Sequence, residues 1–146
     1  MMIRTGITLF VLLFLSISTV YGQSEPDSID LKEFWNESVE PLIQKDYDKL
    51  KELIQFPLGG ESGFMMELKK DEKNWTPSDF FENFDKLFDD RIIGLLKDLN
   101  YHDAEIYESE ILVGIGWKEE GFESGIIFRY KRIGGQWKLC VIKAVG

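Results

Sequence analysis

Apolar residues in this chain follow two rhythms. Near the C-terminus, Ile111, Val113, Ile115 and Trp117 alternate with Leu112, Gly114, Gly116 and Lys118, the period of a half-buried strand. Together with enrichment in Ile, Val, Phe, Tyr and Trp, this alternation predicts strands over Ile111–Lys118, Gly125–Arg132 and Gln136–Val145. Phe128 and Tyr130 share a face with Ile126, and Ile127, Arg129 and Lys131 point the other way. Both faces of these strands carry apolar residues, Ile127 and Ile142 read on one, Phe128 and Leu139 on the other. Lys118–Glu123 is read as a hairpin loop, and Ile133-Gly134-Gly135-Gln136 as a tight turn.

The earlier part repeats every three or four residues. Leu31, Phe34, Trp35, Val39, Leu42 and Ile43 predict a helix that Pro41 kinks or splits near Val39. A second helix, capped by Asp46, places Tyr47, Leu50, Leu53 and Ile54 on one side. Phe56-Pro57-Leu58 is read as its end and Gly59-Gly60 as a turn. Gly63–Leu68 is read as a short strand and Lys69–Asn74 as a surface loop. Thr76-Pro77-Ser78-Asp79 is a capping box with proline at the first helical position. Behind it run Phe80, Phe81, Phe84, Leu87 and Phe88, then Ile92, Ile93, Leu95, Leu96 and Leu99, which is one bent helix or two short ones. The phenylalanine stripe is read as core. Asn100–Asp103 is a connector, and Ala104–Ser109 the first strand of the main sheet.

The first 22 residues follow neither rhythm. Arg4, the apolar run Ile7–Ile17 and the small residues up to Gly22 read as a secretory signal peptide cut before Gln23. Export to the periplasm or outside the cell is therefore expected, with no membrane attachment after cleavage. Residues 23–30 form a flexible lead-in, and residues 31–146 are long enough for one self-sufficient domain.

The whole chain carries a formal charge of −9, a surface that repels phosphate backbones, so nucleic acid is not an expected partner. Cys140 is the sole cysteine and His102 the sole histidine. Cys140 reads as a buried thiol packing like a small hydrophobe, with a Cys140–His102 pair as the competing view. Asp46-Tyr47-Asp48 lacks the glycine and distal glutamate of a calcium loop; neither metal nor cofactor is expected.

The order of elements resembles the nuclear transport factor 2-like, cystatin-like α+β cone, and more narrowly its small exported bacterial members. Phe34-Trp35, Asp46 with Leu50 and Leu53-Ile54, and Phe56-Pro57-Leu58 carry the likeness, with Phe80, Phe84 and Phe88, Phe128-Arg129, and Gly134-Gly135 before Trp137-Lys138-Leu139. The resemblance implies an α+β fold, with N-terminal helices packed on a curved antiparallel sheet around a pocket. Some relatives use paired acids and bases there, but no such motif is matched here, and shared fold does not carry shared chemistry.

Three functions stay open. The first is a non-enzymatic domain holding a small molecule or peptide in a pocket lined by Phe84, Phe88, Trp117, Phe128 and Tyr130. The second is a protein–protein module, either a homodimer through the sheet or an inhibitor or immunity-type partner of a secreted enzyme. The third is an isomerase or hydrolase built on His102, Asp103, Glu105 and Tyr107, which cluster in sequence.

Overall fold

The computed structural model describes residues 29–61 and 75–146. The segment read as a signal peptide, most of the expected lead-in, the strand expected at Gly63–Leu68 and the loop expected at Lys69–Asn74 lie outside the described residues. Leu31–Gly146 forms one compact unit.

The first helical stretch contains α1 (Leu31–Phe34), a wide π-helical turn (Trp35–Val39) and α2 (Glu40–Ile43). The Glu40 N–H donates to the Trp35 carbonyl, five residues back, which opens the helix just before the proline. Pro41 then occupies the first turn of α2, where no backbone donor is required. The expected interruption near Val39 is this wide turn. Helix α3 (Tyr47–Leu53) starts where Asp46 accepts the Lys49 N–H at 3.3 Å.

Strand β1 (Ile54–Glu61) corrects the turn expected at Phe56–Gly60. It runs parallel to the last strand, pairing Ile54 with Leu139 and Gly59 with Val141, with a register irregularity between Ile54 and Gly59. Proline and paired glycines read locally as a turn; pairing with a distant strand overrides that signal. Leu58 also bridges Trp75, each N–H donating to the other's carbonyl at 2.9 and 3.3 Å.

Three short helices follow: α4 (Pro77–Glu82), α5 (Phe84–Leu87) and α6 (Asp90–Lys97). Both hydrogen bonds of the Thr76–Asp79 capping box form, at 3.2 and 3.3 Å. Asn83 separates α4 from α5, its side-chain amide donating to the Asp79 carbonyl at 2.7 Å. Phe88 and Asp89 separate α5 from α6, with Asp89 capping Ile92 at 3.0 Å. The chain then makes a 3-10 turn at Tyr101–Asp103 and enters β2 (Glu105–Tyr107), β3 (Glu110–Glu119), β4 (Phe122–Ile133) and β5 (Gln136–Val145).

The sheet order is β1-β5-β4-β3-β2, antiparallel except for β1 against β5. Its turns are tighter than expected at one end, where only Glu120 and Gly121 connect β3 to β4, both at positive φ. Gly134 and Gly135 make the other, as expected.

The inner face holds Ile111, Val113, Ile115, Ile126, Phe128, Tyr130, Leu139 and Ile142, all buried. Phe128 pairs directly with Ile142, so Ile142 belongs with Phe128 and not with Ile127. The cause is a bulge: Arg129 pairs with Val141 and Tyr130 with Leu139, leaving Cys140 extra. One added residue turns Leu139 and Ile142, three apart in sequence, to the same side.

Helices cover that face through rings. Phe84 stacks on Phe88 at 4.7 Å between centroids, and Phe88 stacks on Phe128 of β4 at 5.9 Å. Phe80 meets both helical rings edge-on, and Phe34 meets Tyr130 edge-on at 5.0 Å. This is the α+β arrangement of helices on a sheet that the sequence pattern implied. Replacing Phe88 with Ala is expected to cost about 3–5 kcal/mol, as buried Phe-to-Ala changes do. Urea unfolding measures it; a loss below about 1 kcal/mol would show that the ring column does not tie helices to sheet.

Candidate functional site

The residues expected to line a pocket divide into two groups. Phe84, Phe88, Phe128 and Tyr130 are fully buried and packed against other rings. Trp117 stands apart on the same sheet face, half-buried, with the Arg91 guanidinium 4.5 Å above its ring. Arg91 also lies 3.6 Å from Glu119, so the start of α6 is tied to the end of β3. The indole N–H of Trp117 is buried without an acceptor among the described residues, and so is that of Trp75.

Trp75 was missed by sequence reasoning. It directly precedes the Thr76 cap and lies five residues before Phe80, the N′ and N4 positions of a hydrophobic staple, and both residues are buried. That signal was present in the sequence beside the capping box.

The candidate acid–base cluster does not converge. His102, Asp103, Glu105 and Tyr107 are all exposed. Asp103 accepts the Asn100 N–H at 2.9 Å, and Asn100 accepts the His102 N–H at 2.9 Å, so this segment closes a capped turn. The His102 ring lies beside that of Tyr101, tilted by 36° with centroids 4.1 Å apart. Cys140 lies on β5, with β4 and β3 between it and β2. His102 is exposed in the turn before β2, and the Cys140 thiol is hydrogen-bonded to the Lys138 carbonyl; no hydrogen bond between Cys140 and His102 forms among the described residues. Among the described residues no group of three or more His, Cys, Asp and Glu side chains is placed to hold a metal ion.

Cys140 is half-buried rather than fully buried, because the bulge turns it out of the core. Its thiol donates to the Lys138 carbonyl at 3.3 Å. Burial pushes its pKa up, with the Lys131 backbone pulling the other way. Tyr130 is shifted in the same sense by burial alone.

The outer sheet face is chemically distinct. Glu110 sits between two cations, 3.1 Å from Arg129 and 3.3 Å from Lys131. Lys131 is directly opposite Lys138 across the ladder, and Lys138 has no ion-pair partner among the described residues. Beside them lie Leu112, Ile127 and Val141, all half-exposed and joined through the pairs Leu112–Arg129 and Arg129–Val141. Residues 111–146 carry six basic and three acidic side chains, a net of +3, whereas residues 1–110 carry −12. A shallow open cleft also lies at the end of β5, lined by Ser124, Lys143, Ala144, Val145 and Gly146. None of the expected pocket residues borders it.

No protein-family model matches the chain, and no curated protein matches it. Among solved structures the chain is similar to a designed protein titled Rd1NTF2_05, with a TM-score of 0.41 and 9% identity, over 77% of this chain and 94% of that one.

Two titrations follow from this placement. With its thiol pKa raised, Cys140 is expected to react slowly with an aromatic disulfide near neutral pH and much faster after unfolding; equal rates would contradict its burial. Tyr130 ionises at a higher pH folded than unfolded, so its contribution to stability is intact below the unfolded value of about 10 and is lost as pH rises above it. Urea midpoints on either side of that value, with Tyr130→Phe as control, measure the loss; an unchanged midpoint would contradict it.

Proposed function

We propose that this protein is an exported, non-enzymatic contact module, and that the outer face of β3, β4 and β5 is the surface it presents to a partner protein. The observation that carries the reading is the outer-face patch of Leu112, Ile127 and Val141, interleaved with Arg129 and flanked by Lys131 and Lys138, on a chain that is otherwise strongly acidic. Half-exposed apolar side chains inside a charged border are the composition of a contact surface. Like charges directly across a ladder destabilise it; Glu110 already meets Lys131 at 3.3 Å, so Lys138, opposite it, is the cation that an acidic partner would meet. Two copies meeting through this face set lysine against lysine. Charge therefore favours a different, acidic protein over a homodimer.

A second reading keeps the pocket. The buried indole N–H groups of Trp117 and Trp75 favour it, since an unmatched buried donor costs about 1–3 kcal/mol and a ligand acceptor removes that cost. Native mass spectrometry of gently purified protein distinguishes this reading by a retained small molecule.

The test of the leading reading is paired capture from the exported fraction of the source cells. Wild type is expected to retain a partner that is shed at high salt. A Lys131→Glu, Lys138→Glu double variant is expected to lose it while its unfolding free energy changes by less than about 1 kcal/mol. Equal capture by both proteins would overturn the reading, as would a wild-type homodimer that buries this face.

A further inference from the structure

We propose that the free edge of β3, from Val113 to Glu119, is a strand-addition site for an extended peptide of a partner protein that carries basic residues at both ends. This edge adjoins the outer face assigned above at Gly114 and Gly116 but would be used through its backbone rather than through that face's side chains.

The register defines the site. Strand β2 pairs only with Glu110, Ile111 and Leu112, whereas β3 pairs with β4 along its whole length. Past Leu112, β3 has no strand on its other side among the described residues. Every second residue of an antiparallel strand turns its N–H and carbonyl away from the partner it already has. The open segment, about 20 Å long at the usual rise per residue, is a row of such groups.

Edges of this kind are normally blocked by charge, proline or a bulge. Here Val113-Gly114-Ile115-Gly116-Trp117 is uncharged and free of proline, and its pairing with β4 has no irregularity. Gly114 and Gly116 are exposed. A Cβ on Gly114 meets nothing within 4 Å, and one on Gly116 meets only the Ser124 carbonyl at 3.5 Å. Gly125, opposite Gly116, differs: a Cβ there falls 2.7 Å from the Ile115 carbonyl. Packing within the chain thus explains Gly125 and not the other two. Their bare backbone leaves room beside the edge for large side chains of an added strand.

The ends of the edge choose the occupant. Glu105, opposite Leu112, marks one end, with Asp103 just before it accepting the Asn100 N–H. Glu119, Glu120 and Glu123 stand at the other, where Arg91 meets Glu119 and Lys118 meets Glu123, so that end keeps an acidic excess through Glu120. An incoming strand with lysine or arginine at both ends matches this pattern. A second copy does not. Antiparallel self-pairing centred on Gly116 sets Glu120 against the other copy's Leu112, where Glu105 already lies.

Fluorescence anisotropy tests the site with a labelled peptide of alternating threonine and valine that has paired lysines at each end. Saturable, salt-sensitive binding is expected, weakened at least about tenfold when glutamates replace the lysines. Methylating alternate backbone nitrogens on the bonding edge is expected to abolish binding, and hydrogen exchange to slow within Val113–Trp117. A Glu105→Lys, Glu120→Lys double variant changes only exposed side chains and is expected to reverse the preference between the two peptides. Binding that survives backbone methylation, exchange protection confined to β4 and β5, or no binding at millimolar peptide would each overturn the proposal. Loss of the outer-face reading alone leaves these results unchanged.

Discussion

The contact on which the fold depends is the column Phe84–Phe88–Phe128, where two helical rings stack one on the other and then on the sheet. The helices around it are four, six and eight residues long, well below the dozen or so that hold together alone in water. Their capping interactions contribute about 1 kcal/mol each, while a buried phenylalanine contributes about 1.5–3 kcal/mol from burial and its ring pairs somewhat more. Packing therefore outweighs local propensity. The helices break at Asn83 and at Phe88–Asp89 and still keep their apolar side on the strands.

That demand commits the inner sheet face to the core. Phe34 against Tyr130 and Trp137 extends the ring packing toward the other end of β4 and β5, and the bulge at Cys140 turns both Leu139 and Ile142 inward. Chemistry able to discriminate a partner is left to the outer face, the strand edge and the loops. The acid–base cluster shows the same division: Asp103, the carboxylate nearest His102 in sequence, is used to close a turn at the surface.

Much of the architecture was legible because it rests on periodicity. The β5 limits Gln136–Val145, the Thr76–Asp79 box and the burial of Phe80, Phe84 and Phe88 all follow from spacing and capping chemistry. What could not be read depends on distant pairing. Phe56-Pro57-Leu58-Gly59-Gly60 has the composition of a turn and becomes a strand only because β5 lies beside it. The bulge leaves no mark in the alternation of Leu139, Cys140 and Val141, so the face of Ile142 was misread. The cationic patch was hidden for a related reason. Lys131 and Lys138 are separated by a turn in sequence and become direct neighbours only once the ladder register is set.

The two surfaces proposed for partners carry opposite charge borders, and one arrangement produces both. Lysines and arginines gather along β4 and β5, in the middle of the sheet, while carboxylates stand at both ends of the β3 edge. An uncharged open edge invites identical chains to pair. Here the short β2 shields only the first three residues of β3. Protection against self-pairing then falls to Glu105 and Glu120, which meet when two copies align. Charge at the ends of an edge penalises a like-charged copy and leaves the uncharged middle available to an oppositely charged strand. On the proposed reading the same carboxylates would both oppose self-pairing and favour a basic strand, without any charged side chain at Val113–Trp117.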